Sequence, residues 1–204
     1  MPMLSRLFAA PALTLSLALI APAPLVADAA GAKLETSVAA AALPKSKQTQ
    51  VGLYITAAEA AAILDAREDV LMIDVRTPEE TILVGHATAA DANIPIALFD
   101  PKHKFNAKKG TYAMTINPAF VTATKTYLEG HTPAAVLVIC RSGGRSAKAV
   151  DALTKAGIDL PLYSVVDGFE GDKNKAGRRD VNGWKNSGAA WSYKARDGFL
   201  LGAD

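Results

Sequence analysis

The sequence predicts a single α/β domain in which helices cover both faces of a central parallel sheet. Short apolar runs of strand length, residues 70–75, 135–139 and 162–166, alternate with segments that carry helix start and stop signals. The chain has 204 residues, which suits one domain with extensions, and half of them are hydrophobic, which is enough for a buried core. No internal repeat is visible.

The first helix and the first apolar strand are predicted from local signals. Thr56 is a good N-cap residue, and Glu59, three positions later, completes a capping box. We expect this helix to end near Arg67. Residues 70–75 then form a run that is apolar except for Asp74, as in a parallel strand that is buried on both faces.

The second helix is predicted to begin at Thr77, because a proline and two acidic residues follow this N-cap residue. Gly85 ends it. Residues 92–95 form a short strand that Pro95 terminates. Residues 99–117 contain four lysines and no periodicity, which predicts a long irregular insertion.

The second half of the chain repeats the alternation. A helix is predicted from Asn117 to Glu129, closed by Gly130, before the strongly apolar strand 135–139. The next helix runs over residues 144–156, and the last core strand is residues 162–166.

The N-terminus has the pattern of an export signal. Arg6 provides the positive charge, residues 7–20 are mostly apolar, and Ala27-Asp28-Ala29 is a small-residue cleavage site, with Ala21-Pro22-Ala23 as an earlier candidate. The apolar run is shorter than the roughly 20 residues that span a bilayer. We therefore predict cleavage, export to the periplasm and no membrane attachment afterwards.

Composition divides the chain into four parts. Residues 1–29 are the predicted signal peptide, and residues 30–52, rich in Ala, Lys, Gln and Ser, are predicted to be a linker or a loosely ordered arm. Residues 53–192 form the predicted domain. Residues 193–204 are a C-terminal tail that we expect to wrap the domain.

Charge and cysteine content exclude several classes of protein. A formal net charge of +2 favours neither a nucleic-acid binder nor a polybasic membrane binder. The single cysteine excludes an intramolecular disulfide and, with three dispersed histidines, a Cys-His zinc cluster; we predict no metal and no cofactor. A lone cysteine in an exported protein indicates a reactive thiol.

That cysteine, Cys140, lies where ligands bind in parallel sheets, beyond the carboxyl end of a strand. Two glycines follow closely and let the backbone curl, so that successive N–H groups form an anion-binding nest. The helix after them adds the positive end of its dipole, and two arginines add formal charge. These features favour a thiolate and an anionic substrate.

The motif resembles a known family. Cys140-Arg141-Ser142-Gly143-Gly144-Arg145-Ser146, with Ile73-Asp74-Val75-Arg76 and Gly85-His86 upstream, is similar to the rhodanese sulfurtransferases over residues 53–192. The resemblance implies a cysteine that takes sulfane sulfur from a donor such as thiosulfate. The cysteine holds that sulfur as a persulfide and passes it to cyanide or a thiol. This attack on sulfur needs neither a metal nor an organic cofactor.

The resemblance also implies roles for individual residues. Cys140 would be the catalytic persulfide carrier, and Asp74, Arg76 and Ser146 would support the loop. The substrate-binding residues would be Arg141, Ser142, Gly143, Gly144 and Arg145.

Two alternatives remain open from the sequence. Cell-cycle phosphatases resemble this family but have five residues between cysteine and arginine, whereas four separate Cys140 from Arg145 here, so phosphatase or arsenate chemistry is less favoured. A non-catalytic sulfur carrier or sensing module would need the same persulfide. The lysine-rich insertion, residues 99–117, would then be a docking surface for a protein partner. The turn after His86 also departs from the family pattern.

Overall fold

A computed structural model describes residues 33–108 and 110–203. The predicted export signal, residues 1–29, lies outside the described residues. Within those two ranges no helix is long and apolar enough to cross a membrane.

Helices alternate with strands along the described chain. The helices are α1 (Ala57–Ala66), α2 (Pro78–Leu83), α3 (Phe120–Glu129) and α4 (Gly144–Lys155). The strands are β1 (Tyr54–Ile55), β2 (Val70–Asp74), β3 (His86–Ala87), β4 (Ala92–Asn93), β5 (Ala97–Phe99), β6 (Phe105–Asn106), β7 (Thr111–Tyr112), β8 (Met114–Ile116), β9 (Ala135–Ile139), β10 (Leu162–Val165) and β11 (Trp191–Ser192).

Five of these strands form the central sheet, in the order β1-β10-β9-β2-β4, and every neighbouring pair is parallel. The two longest strands, β2 and β9, pair at the centre, where Asp74 lies opposite Ile139. The carboxyl ends of β2 and β9 therefore meet at one edge. The predicted α/β class with a parallel sheet is confirmed.

Side chains of β9 alternate between two hydrophobic clusters, one on each face of the sheet. Ala135, Leu137 and Ile139 belong to the cluster that α1 and the C-terminal part of the chain cover. Val136, Val138 and Cys140 belong to the cluster that α3 and α4 cover. Cys140 thus lies on the α4 face, as expected for a strand with side chains of period two.

The two predicted N-caps form as the local sequence requires. Thr56 and Thr77 each accept a hydrogen bond from the backbone N–H three residues later, and Glu59 and Glu80 return the bond, so both capping boxes are complete. The α3 start is different: the helix begins at Phe120 and not at Asn117, whose side-chain amide donates to the carbonyls of Pro95 and Gly202 and accepts from Ala119 N–H.

Residues 33–52, for which composition predicts a linker or a loosely ordered arm, instead lie against the domain. Ser37 N–H donates to the Tyr54 carbonyl at 3.0 Å, and the Thr36 hydroxyl bonds both backbone groups of Tyr54. Since β1 is an edge strand, these bonds satisfy its outer backbone groups, which composition cannot predict. The arm contains a short 3-10 turn at Lys45–Lys47 that contacts α4.

The insertion and the tail both have more structure than the sequence suggests. In place of an irregular segment, β5 pairs with β8 and β6 with β7 in small antiparallel ladders. The tail packs on the domain: Phe199 is buried, and Leu200 bridges to Asn93 beside β4. The tail thus lies against the domain near β4, as we expect of a tail that wraps it.

Candidate active site

Cys140 follows β9 directly and is buried. Its sulfur lies inside the turn that leads to α4, and the backbone N–H of Gly143 donates to Sγ at an N···S distance of 3.2 Å. Helix α4 begins at Gly144 and has 12 residues, so its positive end points toward this turn. The thiol therefore lies against a backbone N–H of the turn that precedes the positive end of α4.

Gly143 is required by the shape of this loop. Its φ is +93°, a conformation that other residues rarely adopt. A Cβ at this position would lie 2.0 Å from the Val166 carbonyl oxygen. The close approach locks the loop against the end of β10.

A second segment, residues 167–171, holds the loop from the other side, and we call it the bracing segment. Phe169 N–H donates to the Cys140 carbonyl at 2.7 Å, and Glu170 N–H donates to the Arg141 carbonyl at 3.0 Å. Gly168 has a φ of +65°, and a Cβ there would lie 2.5 Å from the Cys140 carbonyl oxygen. The only sequence signal for this contact is the Asp-Gly-Phe-Glu-Gly pattern itself.

The start of α1 and residues 183–191 hold the bracing segment in place. The Asp167 carboxylate accepts from Ala57 N–H at 2.7 Å and from Gly183 N–H at 2.9 Å, and burial raises the pKa of Asp167. Trp184 N–H donates to the Gly168 carbonyl at 2.9 Å. The Trp191 ring meets the Phe169 ring edge-on, with 6.4 Å between centroids.

The predicted supporting pair, Asp74 and Arg76, lies behind the loop rather than in it. Both side chains are fully buried and form an ion pair at 2.6 Å. Arg76 also donates to the Gly85 carbonyl at 2.9 Å, and its guanidinium lies 4.1 Å from the centroid of the Phe169 ring. Arg76 therefore contacts the bracing segment, and Asp74 holds Arg76 there; their supporting role remains a prediction.

The two arginines of the loop are both paired with carboxylates. Arg145 donates through both terminal nitrogens to Glu80, each at 2.6 Å. Arg141, with 47% of its side chain exposed, binds Glu170 at 2.5 Å. The sequence predicts that both arginines bind substrate; the structure adds a carboxylate partner to each, and neither partner is evident from the motif.

The cysteine opens onto a pocket of about 290 Å³. Its lining residues are Ser46, Cys140, Arg141, Ser142, Gly144, Arg145 and Lys148. The loop residues are those the motif predicts, whereas Ser46 comes from the arm and Lys148 from the second turn of α4. The lining contains no histidine and no carboxylate, and the parts of the chain that the structure describes hold no cluster of metal-ligand side chains.

Asp74, Arg76 and Gly143 are predicted site residues that do not line the pocket, and neither does Ser146. Ser146 is fully buried in the first turn of α4, and its hydroxyl has no hydrogen-bond partner among the described residues. Its position behind the loop is that of a packing residue.

Solved structures have the same fold. Rv0390 from M. tuberculosis aligns with a TM-score of 0.51 and 29% sequence identity over 69% of this chain and 96% of that one. The parallel sheet order, the cysteine loop between β9 and α4 and this alignment agree with the family that the motif resembles. The fold of this chain is that of a rhodanese-like domain.

A second solved structure, the thiosulfate sulfurtransferase from Pseudomonas aeruginosa, has a TM-score of 0.47 and 19% identity over 74% of this chain. The present chain covers 22% of that protein, and so low a similarity gives no information about the activity of the present chain. A scan against protein-family models and a search of curated proteins found no match to this sequence.

The Glu80–Arg145 pair should make the stability of this rhodanese-like domain depend on pH. Burial raises the pKa of Glu80, but the hydrogen bonds and the charge of Arg145 outweigh that effect and hold it below its usual value of 4.5. The stabilisation from ionised Glu80 is therefore fully present above pH 4.5 and is lost as the pH falls through the lower pKa of the folded state.

Replacing Glu80 by glutamine tests this dependence. We expect the free energy of unfolding at neutral pH to fall by about 1–3 kcal/mol, because Arg145 loses a charged partner. We also expect a smaller further loss in acid than in the wild type. Urea unfolding at neutral pH and at about pH 3 measures both effects. Glu79→Gln, at an exposed position of the same turn, is the matched control; an identical acid dependence in the two variants would contradict the prediction.

Proposed function

We propose that this domain is a sulfurtransferase that carries sulfane sulfur on Cys140. The observation that supports this most is the position of Sγ within a closed backbone loop, 3.2 Å from the Gly143 N–H and at the start of a 12-residue helix. Such a site stabilises an anionic sulfur without a metal or a separate base. The predicted signal peptide supports the further proposal that the reaction takes place after export.

The proposed reaction has two displacements at sulfur. In the first, the Cys140 thiolate attacks the outer sulfur of thiosulfate, the S–S bond of thiosulfate breaks, and sulfite leaves with the bonding electron pair. In the second, cyanide or a thiolate attacks the outer sulfur of the persulfide, and Cys140 leaves as thiolate. The first step breaks one S–S bond and forms another. The second step breaks the S–S bond of the persulfide and forms an S–C bond with cyanide or a new S–S bond with a thiolate, as in thiol–disulfide exchange.

The surroundings of Cys140 suit charge that moves along this pair of sulfur atoms. Backbone N–H groups and the end of α4 are fixed before the substrate arrives, so they cost little reorganisation during the reaction. Arg141 and Arg145 are held in place by their carboxylates, and their positive charge still faces the pocket. Lys148 also lines the pocket, and with both arginines paired it leaves a net positive charge there that attracts an anionic donor.

Two features favour sulfur over a phosphate ester as the substrate. The loop has four residues between Cys140 and Arg145, so its ring of N–H donors is small. The Arg145 guanidinium already binds Glu80 through both terminal nitrogens, so part of its hydrogen-bonding capacity and much of its charge are taken up before a substrate binds. The small loop around Cys140 therefore suits a single bound sulfur atom.

The experiment that tests the proposal is intact mass measurement of the purified chain after incubation with thiosulfate and then with cyanide. We expect a gain of one sulfur atom, its removal by cyanide and the release of thiocyanate. A chain blocked with iodoacetamide should gain nothing. If thiosulfate and polysulfide both fail to add sulfur while Cys140 remains alkylatable, the proposal is wrong. Loading without repeated turnover would instead indicate a sulfur carrier.

A further inference from the structure

A second and larger cavity adjoins the cysteine pocket, and we call it the insertion cleft. It has a volume of about 530 Å³ and lies between the insertion and the start of α4. Arg141, Arg145 and Lys148 line both cavities, so the cleft continues into the pocket that contains Cys140. A volume of this size falls within the range of about 300–1,000 Å³ that is typical of sites for small organic molecules.

The far wall of the cleft is apolar. Its large apolar lining residues are Ile96, Phe99, Tyr112, Met114 and Ile116. The last four belong to the small ladders of the insertion and are between 37% and 69% exposed. Large apolar side chains gathered on one exposed surface beside a reactive group indicate a binding surface, because their exposure to water is unfavourable.

A positive charge lies where the cleft meets the cysteine pocket. Glu80 and Glu170 pair with the two arginines, whereas no carboxylate among the described residues is within ion-pair distance of Lys148. Lys148 is exposed on α4 and lines both cavities. The junction therefore presents one cation without a partner, next to the thiol at one side and to the apolar wall at the other.

We propose that the insertion cleft binds the acceptor of sulfur transfer, and that this acceptor is a small organic thiol with a carboxylate beside the thiol and an apolar body. This inference rests on the proposed persulfide function. The thiol would face Cys140, the carboxylate would bind Lys148, and the body would lie against Tyr112 and Ile116. A compound of the 2-mercapto acid class has these three groups in that order.

The transfer step balances without a further reactant. The thiolate of the acceptor attacks the outer sulfur of the Cys140 persulfide, and a new S–S bond forms to the acceptor. The bond between Sγ of Cys140 and the outer sulfur breaks, and its electron pair stays on Cys140 as the thiolate. The product is the persulfide of the acceptor, and no atom is oxidised or reduced overall.

Two acceptors that differ only in their apolar body test the inference. The persulfide form of the chain is prepared with thiosulfate, and its discharge is followed with 2-mercaptopropionate or with 2-mercaptohexanoate. Both are secondary thiols next to a carboxylate, and the second has three more methylene groups. Because each buried methylene contributes about 0.8 kcal/mol, we expect a second-order rate constant roughly ten- to a hundredfold higher for 2-mercaptohexanoate.

Matched variants assign the preference to the cleft. Ile116→Ser should bring the ratio of the two rate constants close to one, whereas Leu83→Ser, at a residue that is 77% exposed and outside the cleft, should keep it. Lys148→Gln should slow both acids relative to the uncharged 2-mercaptoethanol. Lys155→Gln, in the last turn of the same helix, should not.

A second measurement separates this inference from the proposed function. The rate of Cys140 alkylation is compared for N-methylmaleimide and N-cyclohexylmaleimide, which requires no persulfide. A preference for the cyclohexyl compound that Ile116→Ser removes would support the cleft even if no sulfur is loaded. The inference would be overturned if the wild type reacted equally fast with both mercapto acids. If no persulfide forms, equal alkylation rates for both maleimides would overturn it. The insertion would then remain a docking surface for a protein.

Discussion

Replacing Cys140 by serine is expected to abolish sulfur transfer while the domain stays folded. The serine hydroxyl can accept the same hydrogen bond from the Gly143 N–H, and it is slightly smaller than the thiol, so the loop keeps its geometry. A hydroxyl is not ionised by this site and is a far weaker nucleophile. We expect thiocyanate formation to fall to background, at least about a thousandfold.

Thiocyanate formation under excess thiosulfate and cyanide measures this loss, and urea unfolding measures the stability. The free energy of unfolding should change by no more than about 1 kcal/mol. Because Cys140 is the only cysteine, iodoacetamide treatment of the wild type provides an independent control and should give the same loss. Turnover that survives in the serine variant would rule out the persulfide.

Of the substitutions proposed, Gly143→Ala is expected to lower the free energy of unfolding most. At a φ of +93° the added Cβ would lie 2.0 Å from the carbonyl oxygen and 2.7 Å from the carbonyl carbon of Val166. Both atoms belong to backbone just beyond β10, which cannot move without disturbing the sheet. We expect a decrease of about 4 kcal/mol or more in the free energy of unfolding, together with loss of sulfur transfer.

Gly177→Ala is the matched control for this effect. Gly177 has a similar φ of +81°, but a Cβ there would meet nothing within 4 Å. This variant carries only the strain of the backbone conformation, which is about 1–2 kcal/mol. Urea unfolding of both variants separates strain from collision. Equal losses would mean that the loop does not press against Val166 as tightly as the structure indicates.

Most of the central fold could be predicted because its signals are local. The capping residues Thr56 and Thr77 place two helix starts, and the apolar runs around Ile73 and Val138 place the central strands. The position of Cys140 at the end of β9 follows from the same pattern. These elements depend on residues a few positions apart, so one sequence is sufficient.

The rest of the site depends on residues that are distant in sequence. The sequence predicts Glu80 only as an acidic residue in the first turn of a helix. In the structure it also binds Arg145, 65 positions later. That contact exists because β2 and β9 are neighbours in the sheet. Ser46 reaches the cysteine pocket for a similar reason, since the arm is held by residues distant in sequence, among them Tyr54 of the edge strand and Asp172, which pairs with Lys47.

The insertion was predictable only in part. Its length and its lysines indicate a segment beyond the minimal domain, but the sequence alone does not show which of its side chains share a surface. The small ladders β5–β8 and β6–β7 bring Tyr112, Met114 and Ile116 to the cleft. The proposed acceptor site is therefore lined by the apolar residues of the insertion and not by its lysines.

The bracing segment makes the cysteine loop visible to intrinsic fluorescence. The chain has two tryptophans, and both touch this segment: Trp184 through its backbone N–H to Gly168, and Trp191 through its ring against Phe169. The ammonium of Lys185 also lies 3.9 Å from the centroid of the Trp191 ring, where a small displacement alters the local field. Emission from these two indoles can therefore report a movement of the loop in real time, without an added dye.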